Sequence, residues 1–457
     1  MNKVTYKEAR VYLEEMSKYG SVLGLDGIRG LLSELGNPQD DLKFVHIAGT
    51  NGKGSVLAYT STIISKAGYR TGRYVSPSVM GYLEKIQVDG RWISEEDLAE
   101  ITTEVKKAIA SLKESGALLP TLFEVETAIA FLYFKKMNCD LVVLETGLGG
   151  ALDATNIIKN TLCAVFTNIS LDHLGVIGDS LEEIARTKAG IIKPGCQLVS
   201  ASQKEEVARV LRQEYMKISG TWDWNLTQKV CLEKGYREAM EDQLQVLRED
   251  YKSMTLNYKT FKNLTSSLTG FHQRRNLATA LEVILALRER GYEISDEAVS
   301  QGVAQTRWPG RYTCLREDPV FIIDGAHNEE AAYRLKESLQ HDFPGKKLIL
   351  ILGVFKDKDY ETISRTLGPL ASQVYTVDLP NKERSLSAKA LAESVEKYSS
   401  QVKAEPSIGE AVADAMEAAK SKESSVIVAC GSLSYLGIVK EIVENTERID
   451  SRRIPHV

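Results

Sequence analysis

The chain has 457 residues, of which 43% are hydrophobic and 26% charged, and its net charge is −5. A chain of this length exceeds one ordinary core, so two domains are expected. The balance is that of a soluble globular protein, and the mild negative charge gives no reason to expect nucleic acid or an anionic membrane as partner. The six cysteines, at positions 139, 163, 196, 231, 314 and 430, include no C-x-x-C pair, so neither a disulfide frame nor a zinc site is indicated. No stretch reaches the roughly 18 to 20 apolar residues of a membrane span. The opening MNKVTYKEARVYLEEM is charged and amphipathic rather than signal-like, which points to the cytoplasm.

The most telling stretch, HIAGTNGKGSV, begins at His46. A short apolar run, Phe44–Ala48, reads as a strand. It enters a loop with Gly49, Asn51, Gly52, Lys53, Gly54 and Ser55, and a helical run follows from Val56 to about Lys66. Glycines let successive N–H groups turn toward one anion, and a helix N-terminus adds its positive end. Lys53 is placed to reach β- and γ-phosphates, and the Ser55 hydroxyl to hold an accompanying magnesium ion. A Gly-rich strand-to-helix turn would carry the glycines alone. With strand, lysine, hydroxyl and helix together, phosphate binding is the better reading. A third glycine between the lysine and the serine departs from the common G-x-x-x-x-G-K-[ST] loop.

Further along, short apolar runs alternate with helical patterns, the signature of a parallel α/β sheet. Strands are predicted at Leu141–Glu145, 163–168 and 197–200, and a second set at 320–324, 348–353, 373–377 and 426–429. Glu145 ends the run LVVLE just before TGLGG. An acid at the carboxyl end of such a strand faces the ligand edge and suits Mg²⁺, although capping of the next turn would also explain it. Asp172 and His173 stand just past the next strand, where a lone histidine would more often be a packed or surface residue. In TKAGIIKPG, Lys188 and Lys193 read most simply as the end of a helix and a Pro-Gly turn. Residues 218–268 are polar and irregular and suggest a small antiparallel appendage to the first domain. TGFHQRRNLATA places Gly270, His272, Gln273 and Asn276 at the start of a long helix, predicted over 276–290, where capping accounts for the polar types by itself. Pro309 and Gly310 in TRWPGRY break any helix, and the domain boundary is placed at about Thr306. In VFIIDGAHN, Asp324 sits at a strand end where it can bond a ribose hydroxyl, with His327 within reach of a phosphate; a loop explanation is about as good.

Taken in order, these pieces resemble the folylpolyglutamate synthase/dihydrofolate synthase family of Mur-type ATP-dependent amide ligases. The resemblance is carried by residues 25–55 ending in GTNGKGS, YVSPSV (74–79), TLFEVETA (121–128), LETGLGGALDATN (144–156) and SLDH (170–173). TKAGIIKPG (187–195), FHQRRN (271–276), WPGR (308–311), DGAHN (324–328) and CGSLSYLG (430–437) complete it. It implies a P-loop ATPase-like domain over 1–306 and a smaller Rossmann-like domain over 307–457 that closes on the nucleotide. It implies ATP and two Mg²⁺ ions as cofactors, with Asn51 to Ser55 around the phosphates and Ser55, Ser76, Glu145 and His173 at the metal. Lys188 matches a lysine carbamylated by CO₂ in such ligases, Asn276, Arg311, Asp324 and His327 match ATP contacts, and Thr121, Phe123 and Asp153 fall where the pterin-bearing substrate lies. Reduced folate or dihydropteroate and L-glutamate are the implied partners, with the chain acting as a monomer. Two departures stand out: the family has histidine at position 78 and arginine at 151, where this chain has Ser78 and Ala151. The competing readings are a Mur-type ligase for another carboxylate acceptor, against which LDATN argues, and a nucleotide-binding relative that has lost catalysis. Retention of Lys53, Ser55, Glu145, His173 and Lys188 together argues against the second.

Overall fold

The strand β1, Phe44–Ala48, is buried at every position, as a strand covered on both faces must be. In the computed structural model, which describes residues 4–20, 23–219, 235–420 and 425–452, it lies inside an eight-stranded sheet. The other strands are β2 Thr71–Tyr74, β3 Ile86–Val88, β4 Arg91–Trp92, β5 Leu141–Glu145, β6 Thr161–Phe166, β7 Gln197–Ala201 and β8 Tyr236–Ala239. Their order is β4-β3-β2-β5-β1-β6-β7-β8. The run from β2 to β8 is parallel, while β3 and β4 add an antiparallel edge.

Side chains alternate across this sheet with the strand period of two. Val45, Ile47, Leu141 and Val143 join the core beneath the helices Lys53–Lys66 and Phe271–Glu289. Phe44, Val142 and Leu144 join the opposite core, beneath Glu95–Glu114 and Leu122–Lys136. The predicted 163–168 strand ends earlier, at Phe166, and Asn168 instead forms an isolated bridge with Asn51.

The 218–268 segment divides. Residues 220–234 lie outside the described residues. β8 extends the large sheet, and the antiparallel unit is confined to β9 Leu244–Glu249, β10 Met254–Tyr258 and β11 Phe261–Ser266. A third sheet holds β12 Thr313–Glu317, β13 Val320–Ile323, β14 Lys347–Leu352, β15 Ala371–Thr376, β16 Val402–Ala404 and β17 Ser425–Cys430, in the order β12-β13-β17-β14-β15-β16. All its pairings are parallel except β12 with β13. Among the described residues no helix is long and apolar enough to cross a membrane.

One buried carboxylate ties two helix starts together. Glu124 closes a capping box with Thr121 at the head of Leu122–Lys136, and its Oε1 accepts the Ile28 N–H, 2.8 Å away, in the helix Asp26–Glu34. Glu124→Ala orphans donors at both ends, so a loss of about 2 kcal/mol is expected by chemical denaturation. A loss below half that figure would show that water replaces the carboxylate.

Candidate active site

Three loops leave the carboxyl ends of β5, β1 and β6, which are neighbours in the sheet. Ligands of open α/β sheets bind at that edge. The loop after β1 turns through Gly52, whose φ of +95° caps the helix Lys53–Lys66. A Cβ there would lie 2.4 Å from Asn276 Oδ1, so conformation and close approach both demand glycine. The Lys53 ammonium folds back to donate to the Gly49 and Thr50 carbonyls at 3.2 and 3.4 Å, and lies 3.8 Å from Glu145 Oε1. The buried Ser55 hydroxyl accepts from Gln273 Nε2 at 3.2 Å, and Gln273 in turn accepts from Asn276 Nδ2 at 3.0 Å.

Glu145 is buried at the tip of β5. Burial pushes its carboxyl above the ordinary value, while Lys53, Arg311 and the Ser76 backbone N–H pull the other way. A buried carboxylate whose nearest ammonium stands 3.8 Å away can also take a hard cation. After β6, Asp172 Oδ1 accepts from Lys358 Nζ at 3.1 Å, and His173 Nε2 lies 3.7 Å from Asp172 Oδ2. Burial together with Lys358, Lys188 and Lys53 lowers the His173 pKa against the pull of Asp172, which keeps a ring lone pair available.

Lys188 reaches the same place from the helix Leu181–Ala189, and its Nζ donates to the Gly49 carbonyl at 3.0 Å. Burial, and then the Lys53 charge, bring its pKa down to about 7. On the opposite wall Asp324 accepts the Tyr312 and Ala326 N–H groups at 2.7 and 2.8 Å. Burial pushes its carboxyl up to about 6 against the nearby Arg311. His327 Nδ1 lies 2.7 Å from the Gly325 carbonyl oxygen, and burial lowers its pKa to about 4.

The structure therefore brings Asn51 to Ser55, Ser76, Glu145, His173, Asn276, Arg311, Asp324 and His327 to the wall of one cavity of about 440 Å³. Lys188 lies behind it in a small adjoining cavity shared with Lys53, Asp172 and His173. Thr121, Phe123 and Asp153 do not line either one. Asp153 braces its own loop: one oxygen takes the Leu148 N–H at 2.7 Å, the other the Thr155 N–H at 3.0 Å. Thr121 is spent on its helix cap. Phe123 packs its ring where a Cβ on Gly147 would fall, 2.5 Å from Phe123 Cζ, and Gly147 does line the cavity. Of the two departures, Ala151 donates its N–H to the Thr187 carbonyl at 2.8 Å beside Lys188, and Ser78 is half-buried.

Sequence reasoning missed Asn168, Arg275, Asn328, Glu330 and Lys358. Asn168 and Glu330 stand next to motifs already singled out, but their partners lie across the chain and leave no local pattern.

The Lys188 pKa has a measurable consequence. Between pH 7 and 10.5 the unfolded chain holds a proton on this lysine that the folded chain does not, so stability rises with pH across that window. Lys188→Met should flatten the rise, and a ¹³Cε-lysine NMR titration should show one resonance moving near pH 7. A spectrum with every lysine above pH 9 would contradict this environment.

Comparison with known proteins agrees with this geometry. Residues 47–284 match the Mur ligase middle domain, and residues 310–433 match the Mur ligase, glutamate ligase domain. The dihydrofolate synthase/folylpolyglutamate synthase of Bacillus subtilis is 31% identical over 446 residues, covering 95% of this chain and 98% of that protein. The folylpolyglutamate synthase of Mycobacterium tuberculosis, solved with ADP, superposes with a TM-score of 0.84 at 27% identity, covering 96% of this chain and 99% of that one. A chain solved as an FPGS–AMPPCP–folate complex gives 0.78 at 25% identity, over 96% and 99%. Two matched domains in this order, and a relative aligned along nearly its full length, place the chain in the Mur ligase family, among the folylpolyglutamate synthases and dihydrofolate synthases.

Proposed function

We propose that the protein is an ATP-dependent ligase that adds L-glutamate to the γ-carboxylate of tetrahydrofolate through an acyl phosphate, and that it also takes dihydropteroate as acceptor. The observation that carries this reading is the facing of Lys53 and Glu145 across 3.8 Å on the floor of a cavity whose other wall holds Arg311, Asp324 and His327. The chain divides near Thr306, with residues 1–306 forming the ATP-binding part and 307–457 closing on it. A single chain supplies both walls, which supports a monomer as the working unit, and the cytoplasm is the setting that suits ATP and reduced folate.

The chemistry follows from the residues. A carboxylate is a poor electrophile because its charge repels nucleophiles and oxide is not a usable leaving group. Phosphoryl transfer converts it to an acyl phosphate, which expels phosphate. Lys53 and the N–H groups of Gly52 to Ser55 hold the phosphates in line and offset their charge. Asn276, Arg311, Asp324 and His327 hold the rest of the nucleotide. Ser55, Ser76, Glu145 and His173 are the residues that would hold Mg²⁺. Bound there, the ion would neutralise charge on the transferring phosphoryl group. Lys188, neutral for much of the time near pH 7, has the free amine that carbamylation by CO₂ requires, and the product is an anion in a cavity already holding Lys53. Thr121 and Asp153 shape the loops at the acceptor site, and Phe123 backs the Gly147 wall against which the substrate's ring end rests. Attack by the neutral amine of glutamate then gives the amide.

The test is glutamate addition followed by mass spectrometry, with tetrahydrofolate and dihydropteroate in separate reactions. A ladder of glutamyl increments on the first, and a single product from the second, is expected. ATP binding without extension of either acceptor would overturn the acceptor assignment, with Ser78 and Ala151 the first residues to revisit. Glu145→Gln should lower kcat by about 10²-fold or more and weaken the magnesium dependence. Unchanged turnover and magnesium dependence would remove Glu145 from the metal site.

A further inference from the structure

Polar contacts bind the two walls of the cleft to each other. Asn328 caps the helix Glu329–Asp342. Its Nδ2 donates to Asn51 Oδ1 at 3.1 Å, and Asn51 Nδ2 approaches Asn328 Oδ1 at 3.4 Å. Two residues on, Glu330 Oε2 accepts from Asn51 Nδ2 at 3.2 Å and from Asn168 Nδ2 at 2.6 Å. Arg275 Nη1 donates to Asn168 Oδ1 at 3.1 Å, which fixes the amide with its N–H₂ toward Glu330. A second bridge, Lys358 to Asp172, spans 3.1 Å with both side chains 13% exposed.

We propose that Glu330 is a positioning residue, a clamp that holds the β12–β17 domain shut over the loops after β1 and β6 while the acyl phosphate exists. The proposal rests on the ligase reading above. One carboxylate from one domain accepts from two loops of the other, so opening breaks both bonds together. Its place in the first turn of a helix favours the negative charge there. Lys358 and Asp172 make the matching contact from the loop after β14, so separation must break both bridges.

The clamp matters because an acyl phosphate is open to water. In hydrolysis a water oxygen adds to the acyl carbon and the bond from that carbon to the phosphate oxygen breaks. Carboxylate and phosphate are returned, the water's protons pass to phosphate and solvent, and ATP is spent without an amide. A loosened clamp therefore shows as leakage rather than only as slow turnover.

The experiment measures phosphate released per amide formed, at saturating ATP, for the full chain and for Glu330→Ala, Glu330→Gln and Lys358→Met. The leak should rise about tenfold in Glu330→Ala, the scale of one charge-assisted hydrogen bond. It should rise less in Glu330→Gln, which keeps a carbonyl acceptor, and it should rise in Lys358→Met. A fall in kcat with the ratio held at the wild-type value would overturn the clamp. Hydrogen exchange without substrate supplies a readout independent of the acceptor: Glu330→Ala should speed exchange in residues 49–52 and 167–170 at an unchanged Tm. Unchanged exchange overturns the proposal whatever the activity. If the wild type adds no glutamate while exchange still rises, the ligase reading fails and the clamp stands. Should Glu330→Ala not fold, Asn168→Ala cuts the same bond from the other side and carries the same expectations.

Discussion

The parallel register of β1 between β5 and β6 is the constraint on which the site depends. Ile47 pairs with Glu145 on one side, and Ala48 with Phe166 on the other. The phosphate-type loop, the acid and the loop carrying Asp172 and His173 therefore leave the sheet at one level. A slip of one residue in β1 would turn Val45 and Ile47 to the wrong face and move the loop away from Glu145. The buried alternation of β1 and β5, with a separate apolar core under each face, resists that slip. Packing of the sheet thus fixes where the chemistry sits.

Bringing these groups together is electrostatically costly, and the costs define what the site can do. Burial raises the carboxyls of Glu145 and Asp324 and lowers the amine of Lys188 and the imidazoles of His173 and His327. Each shift favours a neutral form, and each is relieved when an opposite charge arrives. A polyanionic nucleotide with its cation supplies such charges of both signs, so the cavity gains more from that ligand than from a neutral one. Perturbed groups concentrated in one cleft are the physical mark of a functional site.

Much of this was readable from sequence because the signals are local. β1, β5 and the helix after Gly52 follow from short apolar runs and one glycine pattern; the two strands match their predicted bounds residue for residue, while the helix begins at Lys53, ahead of the predicted Val56. The place of Asp153 rests on the resemblance alone, because its hydrogen bonds to the Leu148 and Thr155 N–H groups arise from a turn that no spacing announces. β8 escaped notice because a strand at the end of a sheet needs little alternation to be recruited by its neighbour. Glu330, Asn168 and Lys358 were out of reach for a different reason. Their partners are set by how two separately built sheets meet, and no spacing along the chain encodes that.

The central claim is that the acceptor's carboxylate is activated by phosphoryl transfer before the amine attacks. Tetrahydrofolate carrying ¹⁸O in its γ-carboxylate tests it directly, by mass analysis of the phosphate released during glutamate addition. The account predicts that one carboxylate oxygen leaves with each phosphate, so every amide formed from labelled acceptor yields labelled phosphate. Unlabelled phosphate, with the amide still made, would contradict the acyl phosphate and the role given to Lys53 and Glu145.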